Sequence, residues 1–233
     1  MTDIPEFVIN QVLYDQDTLI EHYSVVDTNY NNRPARILYT DDRLAAQSGL
    51  PFDDNDELLF DYNQRFIELV RQAEPKHMLI IGGGAFTLPM AINKNFPRTY
   101  VDVYEIDDAL IDIATKYFGL RLNKNLNVKI GDGRKLLKQE SNSYDLVIID
   151  VFNSVDIPTN FLEISFLIDV KNKLKPGGIV AMNVISSYYG DKSKTLDKLK
   201  RNFKKTFIKT QIKPATDNLS FWLSQNFILI GYK

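Results

Sequence analysis

The segment Ile80-Ile81-Gly82-Gly83-Gly84-Ala85-Phe86-Thr87 sets three glycines directly behind an apolar run. Glycine permits a tight strand-to-helix turn and lets a ligand approach the backbone closely. Thr87 breaks the G-x-G-x-x-G pattern, so this segment alone equally describes a plain turn. Glu105 stands twenty-three residues beyond Gly82, at the end of Tyr100-Val101-Asp102-Val103-Tyr104. An acid at the tip of a second strand can accept hydrogen bonds from both ribose hydroxyls and would repel a 2′-phosphate. The alternative is a solvated loop acid. Asp107 is better placed to cap the following helix. Asp132 lies between Gly131 and Gly133 after a further apolar run. It can accept from an adenine amino group, or cap the next helix. Asp150 closes Asp145-Leu146-Val147-Ile148-Ile149-Asp150. A carboxylate there can act as a general base, pair with a cation, or only solvate the strand end. Asp156, in the loop beyond, stands close enough in sequence to assist.

Taken together, these four points suggest a pocket for an adenosine-containing cofactor. The P-loop lysine pattern is missing, which disfavours a nucleoside triphosphatase. With no cysteine in the chain, thiolate zinc sites, disulfides and a cysteine nucleophile are excluded. The two histidines, His22 and His77, sit in unrelated contexts, so neither a histidine metal site nor a triad is expected.

Residues that act together need elements to hold them. Apolar strands are expected at 78–81, 100–104, 127–130, 145–149 and 179–183, with final strands near 206–212 and 226–232. Helices are expected near 55–73, 86–94, 107–118, 133–139, 160–174 and 192–204. Asp54 or Asn55 would cap the first helix and Pro75 would close it. Gly119 would stop the 107–118 helix, and Pro176-Gly177-Gly178 would turn the chain into strand 179–183. Alternating strands and helices argue for an open, mostly parallel α/β sheet, which binds ligands beyond the carboxyl ends of its strands. Upstream, Phe7-Val8-Ile9, Leu19-Ile20, 23–26 and 36–39 read as short strands, with a hairpin turn at Asn29–Asn32. The expected organisation is a small β-rich N-terminal subdomain over residues 1–54 and an α/β domain over 55–233.

Composition narrows the classes. A chain of 233 residues with 44% hydrophobic and 25% charged residues is neither disordered, collagenous nor coiled coil. No apolar run reaches the roughly 18 residues of a membrane helix, and the N-terminus lacks an export pattern. A cytoplasmic protein is the expectation. Residues 1–63 carry thirteen acids against three arginines, which can attract a cationic substrate or simply be solvated surface. Lys192 to Lys213 holds nine Lys/Arg and one Asp. The apolar positions Leu196, Leu199 and Phe203 recur within it, so it reads as a solvated helix face rather than a nucleic-acid site.

At this point the sequence resembles the spermidine synthase (polyamine aminopropyltransferase) family, within the class I methyltransferase-like fold. The resemblance rests on Asp56-Glu57, the run from Pro75 to Gly84, and Tyr104-Glu105-Ile106-Asp107. It continues through Tyr117-Phe118, Gly131-Asp132-Gly133-Arg134, Tyr144-Asp145 to Asp150, and Leu174-Lys175-Pro176-Gly177-Gly178. It implies a Rossmann-like, seven-stranded methyltransferase-type sheet. It implies that Gly82, Gly83 and Gly84 border the sulfonium end of the cofactor, that Glu105 holds the ribose, and that Asp132 and Gly133 meet the adenine. Asp150 would be the base that deprotonates an attacking amine, with Asp61, Tyr62 and Asp156 on the amine. The reaction would carry an aminopropyl group from decarboxylated S-adenosylmethionine to a polyamine such as putrescine, without metal. A homodimer or homotetramer, with neither nucleic acid nor membrane as partner, goes with it.

The chain departs from the family pattern. Ala85, Phe86 and Thr87 replace Asp-Gly-Gly after the third glycine, and Asp150-Val151-Phe152-Asn153-Ser154 replaces Asp-x-x-Asp-Pro. Phe60-Asp61 stands where the family has Tyr-His. These changes, with Ile157-Pro158, place it in a divergent spermidine-synthase-like branch. Two alternatives follow: an S-adenosylmethionine-dependent small-molecule methyltransferase using the same nucleotide pocket, and a non-catalytic nucleotide-binding homologue.

Overall fold

The computed structural model describes residues 11–40, 45–53, 58–153, 156–216 and 222–233. It is an α/β fold in which a Rossmann-like seven-stranded sheet carries helices on both faces and a four-stranded β-sheet lies N-terminal to it. The N-terminal sheet is antiparallel, in the order β1 (Gln11–Asp17), β2 (His22–Tyr30), β3 (Arg33–Thr40) and β4 (Ala45–Pro51). The expected hairpin is present. Tyr30 pairs with Arg33, and Asn31 and Asn32 between them both have positive φ, 50° and 65°. Two consecutive residues at positive φ match the right-handed twist of the flanking strands, and asparagine tolerates that conformation.

The second sheet runs β10-β11-β9-β8-β5-β6-β7. Its strands are β5 (His77–Ile81), β6 (Tyr100–Glu105), β7 (Leu126–Ile130), β8 (Tyr144–Ile149), β9 (Leu174–Ser186), β10 (Lys209–Pro214) and β11 (Gln225–Tyr232). From β7 through β9 neighbouring strands are parallel; β11 is antiparallel to both β9 and β10. The chain steps outward from β5 to β6 and β7, then returns to β5's other side as β8. Loops leaving β5 and β8 therefore diverge, and a crevice opens between them.

Among the described residues six α-helices cover the sheet: α1 (Asp61–Ala73), α2 (Thr87–Asn95), α3 (Ala109–Ile113), α4 (Gly133–Gln139), α5 (Ile164–Lys173) and α6 (Lys194–Thr206). Strand side chains alternate between two apolar cores. Met78 and Ile80 face one, with Phe66 and Val70 of α1; Leu79 and Ile81 face the other, with Phe166 of α5 and Phe203 of α6. Burial on both faces explains why β5 and β8 read as unbroken apolar runs. Among the described residues no helix is long and apolar enough to cross a membrane, and no cluster of three or more His, Asp or Glu is arranged to hold a metal.

Several elements differ from expectation. Leu19-Ile20 is not a strand but the exposed turn between β1 and β2. The Thr18 hydroxyl accepts from the Ile20 and Glu21 amides, and the Thr18 amide donates to the Glu21 carbonyl, which closes the turn. Phe7-Val8-Ile9, Asp54, Asn55 and Asp56-Glu57 lie outside the described residues. β1 and β4 went unread because one is an exposed edge and the other is made of small and polar residues. α1 begins at Asp61, and β9 begins at Leu174, ahead of Pro176 rather than behind it. The 107–118 helix is α-helical only to Ile113; Ala114–Phe118 widens into a π turn before Gly119, at φ 77°, stops it.

Candidate functional site

Two adjoining cavities open at the carboxyl ends of β5, β6 and β8. The first, about 270 Å³, reaches from Glu105 and Asp132 to Asp150, with Ile106, Leu110 and Phe161 as apolar wall. The second, about 340 Å³, lies between the N-terminal sheet, the start of α1 and the tips of β9 and β11. They share Gln47, Gly82, Gly84, Asp150, Phe152 and Asn153. Asp150 thus stands where the two volumes meet.

The glycine turn is tight for stated reasons. Gly82 has φ +97°, and a Cβ there would stand 2.1 Å from the Asp150 carbonyl oxygen. The loop amides are all engaged. Gly82 donates to the Tyr104 carbonyl at 2.8 Å and Phe86 to the Gly83 carbonyl at 2.8 Å. Gly83 and Gly84 donate to Glu105 Oε2 at 2.7 and 3.3 Å, and Ala85 to Ser48 Oγ at 2.9 Å. A loop whose amides are already partnered is not an anion cradle, which sets it apart from phosphate-binding glycine loops. Ala85 itself is fully buried in the core and lines neither cavity.

Glu105 is buried, and its other oxygen accepts from the Ile106 and Asp107 amides at 2.6 and 3.0 Å. Burial raises its pKa, and the four backbone donors oppose that rise. The four lone-pair directions of a carboxylate are therefore in use. A ribose hydroxyl would enter by displacing the long Gly84 bond. Asp132 caps α4, with Oδ1 accepting from Arg134 and Lys135 amides at 2.9 and 3.2 Å. The capping reading of this residue is the one its hydrogen bonds show, and its other oxygen takes no part in the cap. Gly133 is required by packing, since a Cβ there would come within 2.5 Å of Ile81 Cγ2.

Asp150 sits on the floor shared by both cavities. Asn183 Nδ2 donates to its Oδ1 at 3.0 Å, and the Tyr62 hydroxyl also donates to it. Burial pushes its pKa up to about 6, against the lowering effect of those two donors. A carboxyl group titrating there is ionised at neutral pH yet basic enough to take a proton. Asp61 and Tyr62 line the second cavity, with Tyr30, Phe60 and Tyr62 in ring contact at 5.6 and 5.9 Å. Asp156 lines neither cavity. It is exposed, and its Oδ1 accepts from the Ile157 amide at 2.8 Å within its own turn. Every described residue lining the two cavities is neutral or acidic; none is Lys, Arg or His.

Sequence reading missed Asn183, Asn226 and Ser48. Asn183 follows the same strand-tip rule that found Asp150, being a polar residue after the apolar run of β9. Ser48 carried no local signal. Its hydroxyl ties the N-terminal sheet to the glycine loop, and Ser48→Ala leaves the buried Ala85 amide unpaired. The expected cost is about 1–3 kcal/mol, read as a lower urea midpoint with unchanged slope.

Comparison with known proteins gives a consistent grouping. The family described as the spermine/spermidine synthase domain matches residues 64–224. The polyamine aminopropyltransferase of Vibrio vulnificus is 31% identical over 122 residues, which cover 51% of this chain and 41% of that protein. The human eEF1A lysine and N-terminal methyltransferase is 29% identical over 147 residues, covering 58% of this chain and 21% of that protein. The chain thus spans less than half the length of these two curated relatives. Among solved structures, a probable spermidine synthase from Corynebacterium glutamicum superposes with a TM-score of 0.78 at 18% identity, covering 94% of this chain and 79% of that one. That likeness concerns the fold.

Proposed function

The chain belongs to the spermine/spermidine synthase domain family, and from that premise we propose that it is a divergent member moving the aminopropyl group of decarboxylated S-adenosylmethionine to a small amine. One observation carries the proposal. Two cavities meet at a buried carboxylate, and every described residue lining them is neutral or acidic. A cofactor with a free carboxylate would meet other carboxylates and an engaged glycine loop, whereas the decarboxylated form presents only cations. The acidic walls suit an amine acceptor for the same reason.

The residues fit an adenosyl molecule. Ile106, Leu110 and Phe161 offer a slot for a flat ring, Asp132 an acceptor at its edge, and Glu105 a carboxylate near the glycine turn. When bound, decarboxylated S-adenosylmethionine supplies a propyl carbon activated by its sulfonium, with methylthioadenosine as leaving group. The chain's part is positioning and proton handling. Asp150 takes one proton from the attacking nitrogen as the new C–N bond forms and the C–S bond breaks. Tyr62 and Asn183 keep that carboxylate ionised and aimed. Asp61, exposed at the wall of the second cavity, meets the far ammonium of a diamine.

Calorimetry with decarboxylated and intact S-adenosylmethionine, followed by turnover with putrescine and with a monoamine, tests this. Tighter binding of the decarboxylated form and conversion of putrescine support it. Asp61→Asn is expected to raise KM for putrescine by about 2–5-fold, since one solvent-exposed ion pair is worth up to about 1 kcal/mol, with kcat and the monoamine KM unchanged. Equal KM values would remove Asp61 from the acceptor site. A second reading, methyl transfer to an amine nitrogen, draws on the likeness to the human methyltransferase. Preference for intact S-adenosylmethionine with methylated product would replace the first reading with it.

A further inference from the structure

We infer that Asn226 is a positioning residue for Asp150: it fixes which end of the Asn183 amide faces the carboxylate. The inference rests on the proposed transfer for its kinetic readout alone.

Asn183 is buried, 1% exposed, near the end of β9. Its Nδ2 donates to Asp150 Oδ1 at 3.0 Å, and its Oδ1 accepts from Asn226 Nδ2 at 3.0 Å. A primary amide has a donor end and an acceptor end of nearly equal shape, and its hydrogen-bond partners decide which way it points. Turned one way, Asn183 donates to the ionised Asp150. Turned the other way, it sets oxygen against oxygen and accommodates only the protonated acid. Asn226 favours the first orientation, because its Nδ2 donates to the Asn183 oxygen. The sheet places the pair. Asn183 is opposite Ile228 and Asn226 opposite Ile185, so the two asparagines are diagonal neighbours on one face of β9 and β11.

The surroundings make this orientation matter. Tyr62 of α1 donates to Asp150. On the acceptor side the other titratable groups are Asp61 and Tyr30. On the other side are Glu21, Glu105 and Asp132, with the phenols of Tyr23 and Tyr104. No cation among the described lining residues offsets the burial of Asp150, so the two donated hydrogen bonds are what favour its charged form.

The test is a double-mutant cycle read through pH. Asn226→Leu is made in the wild-type chain and in Asn183→Ala, with Asn226→Ala as a second variant should the leucine disturb folding. Two readouts are taken: the acid limb of kcat/KM, and the Asp150 carboxyl titration followed by ¹³C NMR, which requires no turnover. Loss of one donor's orientation is expected to move both midpoints up by roughly half to one pH unit. Activity should then fall most near pH 6 and recover by about pH 9. In the Asn183→Ala background the Asn226 substitution should move neither midpoint further, as expected of residues acting through one partner. An unmoved titration with activity lowered equally at all pH overturns the inference, and so does an equal shift in both backgrounds. If the wild-type chain turns over no amine, the transferase proposal fails, while the NMR titration still decides the role of Asn226.

Discussion

With Asp150 as the proposed base, Asp150→Asn is expected to lower turnover by about three orders of magnitude while both substrates still bind. The size follows from removing a general base, worth about 10²–10⁴-fold. The isosteric amide keeps the shape of the junction between the two cavities but cannot take the amine proton. In the wild-type chain kcat/KM should rise with pH about a midpoint near 6, where Asp150 ionises; the variant should lack that limb. The same substitution should stabilise the fold at alkaline pH. The folded pKa of about 6 lies above the ordinary aspartate value of 3.8. Ionising Asp150 therefore costs more in the folded chain than in the unfolded one. The stability linked to its protonated form is complete below the unfolded pKa and is lost as pH rises through about 6. Thermal melts at pH 8 should show the variant more stable than wild type, with the gap closing toward pH 4. Turnover that survives in Asp150→Asn would remove this residue as base and leave the transfer reading without a proton acceptor.

Glu105→Ala should abolish adenosyl binding and destabilise the chain by about 3–5 kcal/mol, since four backbone amides, one of them buried and the others partly so, lose their acceptor at up to about 1–3 kcal/mol each. The amides concerned are Gly83, Gly84, Ile106 and Asp107. That is a large share of the roughly 5–15 kcal/mol that holds a domain folded. Glu105→Gln separates two roles. It keeps the volume but turns one end of the side chain into a donor facing donors. Binding of methylthioadenosine and urea unfolding, measured on both variants, should fall together if Glu105 serves only to tie the glycine loop. A Glu105→Gln chain with near-native stability and binding weakened about 100-fold would show a direct contact to ligand, at about 2.7 kcal/mol. Unchanged binding in both variants would exclude the residue from the site.

Much of the site was legible because parallel strands end on one edge. Each apolar run followed by glycine or acid marked a strand tip, and Gly82, Glu105, Asp132 and Asp150 do lie around adjoining cavities. The period of the pattern could not say what each carboxylate touches. Glu105 is occupied by four backbone amides, a use no spacing rule predicts. Asp156, sequence-near to Asp150, is turned away by its own local hydrogen bonds. The Leu19-Ile20 strand failed because two apolar residues outweighed the turn-forming Thr18 beside them.

The amino-acid order by itself determined the alternation of strands and helices, the glycine turn after β5, and the row of acids at strand ends. Those are local properties, set by side-chain period and by backbone freedom at glycine. Only the folded chain decided which polar groups converge. Asn183 reaches Asp150 across 33 residues, Asn226 reaches Asn183 across 43, and Ser48 reaches Ala85 across 37. Such pairs depend on strand order and register, which place distant segments side by side through burial of their apolar faces, and no local stretch of sequence contains that information.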